Sequence, residues 1–211
     1  MTARRAFLLF AAALAAFHNL PPSFAGARSG DYFDLLTPFA VLGATLLLLR
    51  LLDANALPLA VAFVGGVLYT DGHGIHLAAN SIGHEGPTGH VRHVTKFWDE
   101  RFGHIEWHLG WFVLVLAVCL AERRALLRDD ERWPLWLAAV LLAFTLFADT
   151  VEGGTWWLEL VAAAGFLGWA AGARRPLLMT SAAAFGLAAA MIGIWAIWHG
   201  GVPQFSELGW I

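Results

Sequence analysis

An all-α integral membrane protein is the fold class this sequence predicts: a bundle of seven transmembrane helices, N-terminus in the cytoplasm and C-terminus outside. Composition, the lengths of the apolar runs and an uneven split of arginine between alternate loops carry that prediction. Of 211 residues, 59% are hydrophobic and 14% charged, against roughly 45–50% and about 25% in an ordinary soluble domain. Mean hydropathy is +0.64. Eleven Trp and fifteen Phe add more bulk than a soluble core of this length would bury. These figures exclude a disordered chain, a coiled coil and a secreted disulfide scaffold. Thirteen basic residues, all arginine but Lys96, form no basic block, and the net charge is −3, so nucleic acid is excluded as a partner. The single cysteine, Cys119, allows no intrachain disulfide.

A spanning helix needs roughly 17–25 mostly apolar residues. The runs at 5–24, 32–52, 56–82, 103–122, 133–151, 156–173 and 176–199 meet that need, with polar ends. Pro21-Pro22 closes the first, and the stretch from Arg50 to Asn55 the second. Glycines and histidines fill the connection between the third and fourth, which reads as a solvated loop carrying His90 and His93. A charged run from Ala121 to Arg132 closes the fourth span, Gly153-Gly154 the fifth and Arg174-Arg175-Pro176 the sixth. No internal repeat or long linker divides the chain, so residues 1–211 form one polytopic membrane domain. Residues 1–27 read as a retained first helix. The alternative is a signal peptide, with Arg4-Arg5 before an apolar run and Ala25-Gly26-Ala27 as the small-residue site.

Alternate loops carry nine arginines on one side: Arg4, Arg5, Arg50, Arg123, Arg124, Arg128, Arg132, Arg174 and Arg175. The other side carries Arg28, Arg92, Lys96 and Arg101. The positive-inside rule places the first set in the cytoplasm, as expected for a prokaryotic plasma membrane protein.

On that map the polar residues within spans gather at the outer ends. They include His18 and Asn19, Asp31 and Asp34, His73 to His84, Asp99 to His108, Asp149, Glu152, Glu159 and His199. Ionisable side chains within spans are costly and mark functional sites by default. At roughly 100° per residue, Tyr69, His73, His76, Asn80 and His84 fall within about 80° on one helical face. Glu100, His104 and His108 follow an i, i+4, i+8 rule on the next span, continued by Trp111. In a regular helix Asp71 lies about half a turn off this face; the alternative is a break at Gly72 and Gly74, which flank His73, and it leaves the direction of Asp71 open. The lone His18 and His199 read as helix-end hydrogen-bonding residues, Glu106 as a partner for arginine or another helix, and Asp31, Asp34 and Glu159 as interfacial groups.

Facing helices that each supply histidine and carboxylate are how bundles build metal centres. The expected ligands are therefore His73, His76, His84, Glu100, His104 and His108, with Asp71 or Glu152 as the catalytic carboxylate. Imidazole and carboxylate without thiolate suit zinc, iron, manganese or copper. Zinc is favoured because an outward site is remote from cytoplasmic reductants, whereas zinc needs no reductant to activate water. The sequence thus reads as a zinc-type hydrolase of a lipid or lipid-linked substrate in the bilayer. A copper or iron oxidoreductase, haem included, is the nearest alternative, and a metal or proton transporter the next. Seven spans with intramembrane His and Asp resemble the ceramidase and adiponectin-receptor hydrolases in architecture. The paired histidines on the last helix of those proteins are not matched by the lone His199, and the motif Asp71-Gly-His-Gly-Ile-His-Leu-Ala-Ala-Asn80 is this chain's own.

Overall fold

The structure, a computed structural model, describes residues 1–19, 34–122 and 131–210, and these fold as helices with no strand among them. Pro21-Pro22, Ala25-Gly26-Ala27, Arg28, Asp31, Arg123, Arg124 and Arg128 lie outside the described residues. Seven continuous helical stretches follow one another among those described. They are α1 (Ala3–Asn19), α2 (Thr37–Leu51) and α3 (Ala56–His84), then α4 (Gly89–Lys96), which runs through a π-helical turn (Phe97–Gly103) into α5 (His104–Glu122). After these come α6 (Trp133–Glu152), α7 (Trp156–Gly172) and α8 (Pro176–His199). Three stretches are long and apolar enough to cross a membrane: Gly89–Glu122, Trp133–Glu152 and Pro176–His199. Phe63, Val161, Ile194, Ile197 and Trp198 stand largely exposed on the outside of the bundle. Such exposed apolar side chains are consistent with a membrane protein.

The helices begin and end where their residues require. Proline falls within the first two positions of α2, α6 and α8, where its missing N–H costs nothing. Gly200, at φ 68, ends α8 in the left-handed region. Thr45, Thr145, Thr150, Thr180 and Ser181 each donate their hydroxyl to the carbonyl four residues back, so none is left unpaired in apolar surroundings.

The connection between the third and fourth expected spans is a helix rather than a loop. His90 and His93 are exposed on α4, and the chain enters α5 without a break. Nor is α3 interrupted at Gly72 and Gly74. Gly72 is instead a packing residue: a Cβ there would run into the backbone N of Trp107, and lie 2.8 Å from the Gly103 carbonyl. A Cβ on Gly110 would collide with the backbone of Tyr69, and one on Gly65 would stand 2.9 Å from the backbone N of Leu114. Gly65 and Gly72 on α3 thus meet the α5 segment at Gly103 and Gly110, each pair seven residues apart, and the two backbones touch.

One end of the bundle is rich in arginine. Arg4 donates to the Glu131 carbonyl at 2.8 Å, while Arg5 grips the Glu131 carboxylate with Nε at 2.8 Å and Nη2 at 2.6 Å. The Arg5 hydrogen bonds hold the Glu131 carboxyl below the usual carboxylate range. The ion pair therefore contributes above that range and fades as pH falls through it. Glu122, buried at the end of α5, accepts from the backbone N–H groups of Leu177 at 2.8 Å and Leu178 at 2.9 Å. It caps α8 from a neighbouring helix. At the opposite end α8 turns back, with Trp195 Nε1 donating to the Pro203 carbonyl at 3.0 Å. His199 packs on Trp195 at 4.1 Å between ring centroids. Glu159, read from sequence as interfacial, is fully buried, and neither carboxylate oxygen has a hydrogen-bond partner among the described residues.

The glycine contact generates a paired prediction. Gly72→Ala forces α3 from α5 and should lower stability by about 1–3 kcal/mol. Gly74→Ala, two residues on with nothing within 4 Å of its added Cβ, should be neutral or stabilising by up to about 1 kcal/mol. Unfolding of both variants in the same detergent measures the contrast.

Candidate metal centre

Close contact of α3 with α5 brings their histidine stripes face to face. His76 and His104 have ring centroids 4.4 Å apart, and His104 and His108 follow one turn apart at 5.7 Å. Trp107 is the hub of the cluster. Its ring lies 4.8 Å from His18, 4.8 Å from His73, 5.2 Å from His76, 5.3 Å from His108 and 5.9 Å from His104. Tyr69 lies parallel to His73 at 6.1 Å. Gly153, at the end of α6, closes the wall: a Cβ there would stand 2.9 Å from both His104 Cδ2 and His108 Cε1.

The π-helical turn supplies the carboxylate. Its C-terminal amide, the N–H of His104, donates to the Asp99 carbonyl five residues back. In i→i+5 geometry the residue above His104 is Asp99, not the i−4 residue Glu100. One nitrogen of His76, one of His104 and one oxygen of Asp99 accordingly lie within 4.8 Å of one another, close enough to share an ion. His104 is buried, His76 and Asp99 half-buried.

Each of four imidazoles has one nitrogen held by an outer partner. His18 Nδ1 meets Asp149 Oδ2 at 2.5 Å, and its Nε2 meets the Tyr69 hydroxyl at 2.8 Å. His73 Nε2 donates to the Asp34 carbonyl at 3.0 Å, with the Asp34 carboxylate 3.4 Å away. His76 Nδ1 and Asp99 Oδ1 are 2.6 Å apart. His108 Nδ1 meets the Thr155 hydroxyl at 2.5 Å. The opposite nitrogens, His73 Nδ1 and His108 Nε2, have no hydrogen-bond partner among the described residues, and nor does His104 Nδ1. Metal-ligating histidines characteristically have one nitrogen fixed by a carboxylate, carbonyl or hydroxyl while the other is left for the ion.

Of the residues expected from sequence, His73, His76, His104 and His108 come together here. Three others do not. His84 is exposed at the end of α3, Glu100 forms an ion pair with Lys96 at 3.4 Å, and Asp71 is exposed on α3 and feels the charge of Glu106. Asp71 stays off the histidine face because α3 is regular through Gly72 and Gly74. Glu152 is held by the C-terminal hook, its carboxylate accepting from the Ser206 N–H at 3.1 Å. Sequence reasoning did not single out Asp99 as the carboxylate beside His76 and His104, whereas its reading of His18 as a helix-end hydrogen-bonding residue agrees with the Asp149 and Tyr69 contacts at the end of α1. The polar signal at Asp149 and Asp34 was visible, but their partners were not.

A cleft of about 450 Å³ opens beside the triad, lined by Thr88, Arg92, Thr95, Lys96, Asp99 and Glu100 among others. It gives Asp99 a route to solvent. No protein-family model, curated protein or solved structure matches this chain.

The π register predicts which carboxylate matters for metal. Zinc titration of the purified protein should show affinity falling about 10- to 100-fold in Asp99→Ala. Glu100→Gln should leave it within about twofold. A reversed order would mean that the helical i, i+4 register holds instead.

Proposed function

We propose that this chain is an integral membrane metalloenzyme whose centre is held by His76, Asp99 and His104, with zinc the favoured ion. The observation that carries the reading is the convergence of those three ligand atoms within 4.8 Å. The unpartnered nitrogens of His73, His104 and His108 beside it support the same reading. Two imidazoles and a carboxylate without thiolate suit zinc. Bound zinc supplies Lewis acidity and a water whose pKa lies near 7. Glu100 lines the same cleft as Asp99 and is ion-paired with Lys96; we assign it to take that water's proton. Tyr69 and Asp149 fix His18 against Trp107, and Thr155 fixes His108, so the wall around the ion is oriented before substrate arrives. The substrate class we favour is a lipid or lipid-linked molecule entering from the bilayer by way of this cleft.

A second reading is a copper or iron oxidoreductase. What favours it is the shell of Tyr69, Trp107 and Trp111, all buried and packed on the histidines. Haem fits less well, because His76 and His104 lie 4.4 Å apart with Trp107 packed against both rings and leave no plane for a macrocycle between them.

We further propose the seven-span topology, with the arginine end in the cytoplasm and the histidine centre outside. Single cysteines at Gly86 and Arg174 should then react with an impermeant thiol reagent from opposite sides, Gly86→Cys from outside. Cys119 is buried and gives little background. Labelling of Arg174→Cys from outside would reverse the orientation.

Metal analysis of the full chain without a histidine tag tests the centre itself. Wild type should carry stoichiometric metal. His76→Ala and His104→Ala should lose it while remaining folded, and acidification should release it because only neutral imidazole binds. Equal metal content in all three proteins would overturn the metalloenzyme reading. Zinc supports hydrolysis, whereas copper or iron selects the oxidoreductase.

A further inference from the structure

A second cavity lies at the arginine end of the bundle, remote from the histidines. It measures about 470 Å³, within the range of small-molecule pockets. Arg4, Arg132 and Arg174 stand at its rim. Arg4 is a built part of the fold, only 8% exposed and fixed by its bond to the Glu131 carbonyl. The Glu131 carboxylate is occupied by Arg5. The side chains of Arg132 and Arg174 have no hydrogen bond or ion pair among the described residues, and with Arg4 they make the lining cationic at this end.

Below the rim the cavity becomes apolar. Ala139 of α6 and Ala183 of α8 form a small-residue floor, with Trp136 and Met179 along its sides. Ala139 lies seven residues from Arg132 and Ala183 nine from Arg174, each about two turns inward at 3.6 residues per turn, so the groove runs along the bundle axis. Trp136 is 70% exposed, placed as an interfacial tryptophan is.

We propose that this groove binds an anionic phospholipid, the phosphate held by Arg4, Arg132 and Arg174 and an acyl chain lying over Ala139 and Ala183. The order of the lining is the argument. A free anion has no use for the apolar floor, and a zwitterionic lipid brings no net charge to the rim. Basic pockets between transmembrane helices recognise anionic headgroups in this way. The inference does not depend on the metal centre.

Thermal unfolding of the full-length protein in an uncharged detergent tests it, with phosphatidylglycerol, phosphatidylcholine or inorganic phosphate added. Phosphatidylglycerol at saturating concentration should raise the melting temperature by about 5 °C or more, with little change from the other two. The double variant Arg132→Gln, Arg174→Gln should melt like wild type without lipid and lose the phosphatidylglycerol shift. Ala183→Phe, an exposed position, keeps every charge but fills the floor and should lose it too. The proposal is overturned by an equal shift from phosphatidylcholine, by the full shift from inorganic phosphate alone, or by retention of the shift in the double variant.

Discussion

Backbone contact between α3 and α5 is the constraint on which the rest of the centre depends. In lipid, helices gain little from burying apolar side chains against each other, and close van der Waals packing takes over the role. Gly65, Gly72, Gly103 and Gly110 bring the two backbones into contact at positions where a Cβ would meet the facing backbone. The consequence is chemical as well as mechanical. A histidine on a helix 8–10 Å away reaches a partner only by extending its side chain across the gap. Here the helices are closer, so His76 and His104 meet ring to ring at 4.4 Å. Trp107, whose backbone N lies against Gly72, then occupies the space between the stripes.

That arrangement constrains what may surround it. A buried imidazole needs a partner on its N–H, and a buried carboxylate needs donors or a cation. Asp34, Asp99 and Asp149 each answer one histidine, from the segment before α2, from the π turn and from α6. α1 and α6, which have no part in the glycine contact, are tied to it through His18 and Asp149, and again through Asn19, which donates to the Thr145 hydroxyl at 3.3 Å. The centre therefore joins helices that are distant along the chain.

Much of the fold was legible because long apolar runs with proline, glycine or arginine at their ends leave few alternatives to helices, three of which are long and apolar enough to cross a membrane among the described residues. The two histidine stripes were legible for the same reason, as periodicity along one helix reports a shared face. What failed was the assumption of one period throughout. The π turn adds a residue to the repeat, so the carboxylate facing His104 shifts from Glu100 to Asp99. The glycines of α3 left a helix break open as an alternative, although Gly72 is there to admit another backbone. His18 could not be assigned from spacing at all: its partners Tyr69 and Asp149 are 51 and 131 residues away. Local patterns reveal faces of helices, and only packing reveals which faces meet.

Two buried polar groups of the molecule contrast in how completely they are paired. Glu122 is buried as deeply as the histidines, and both of its oxygens are answered by backbone N–H groups at the start of α8. Nothing is left over, and capping explains it fully. The histidine cluster is closed on its outer side in the same manner, by Asp34, Asp149 and Thr155. On its inner side the accounting stops: His73 Nδ1, His104 Nδ1 and His108 Nε2 have no protein partner among the described residues. The Asp34 carbonyl only accepts, so His73 Nε2 must carry the proton, and in the neutral ring Nδ1 is a bare lone pair. Each unsatisfied buried atom costs about 1–3 kcal/mol, and unlike the isolated Glu159 carboxylate these open nitrogens gather on histidines around the His76, Asp99 and His104 triad. At His73 a lone pair is thus held from behind and left open in front, the feature on which the metal-centre proposal draws.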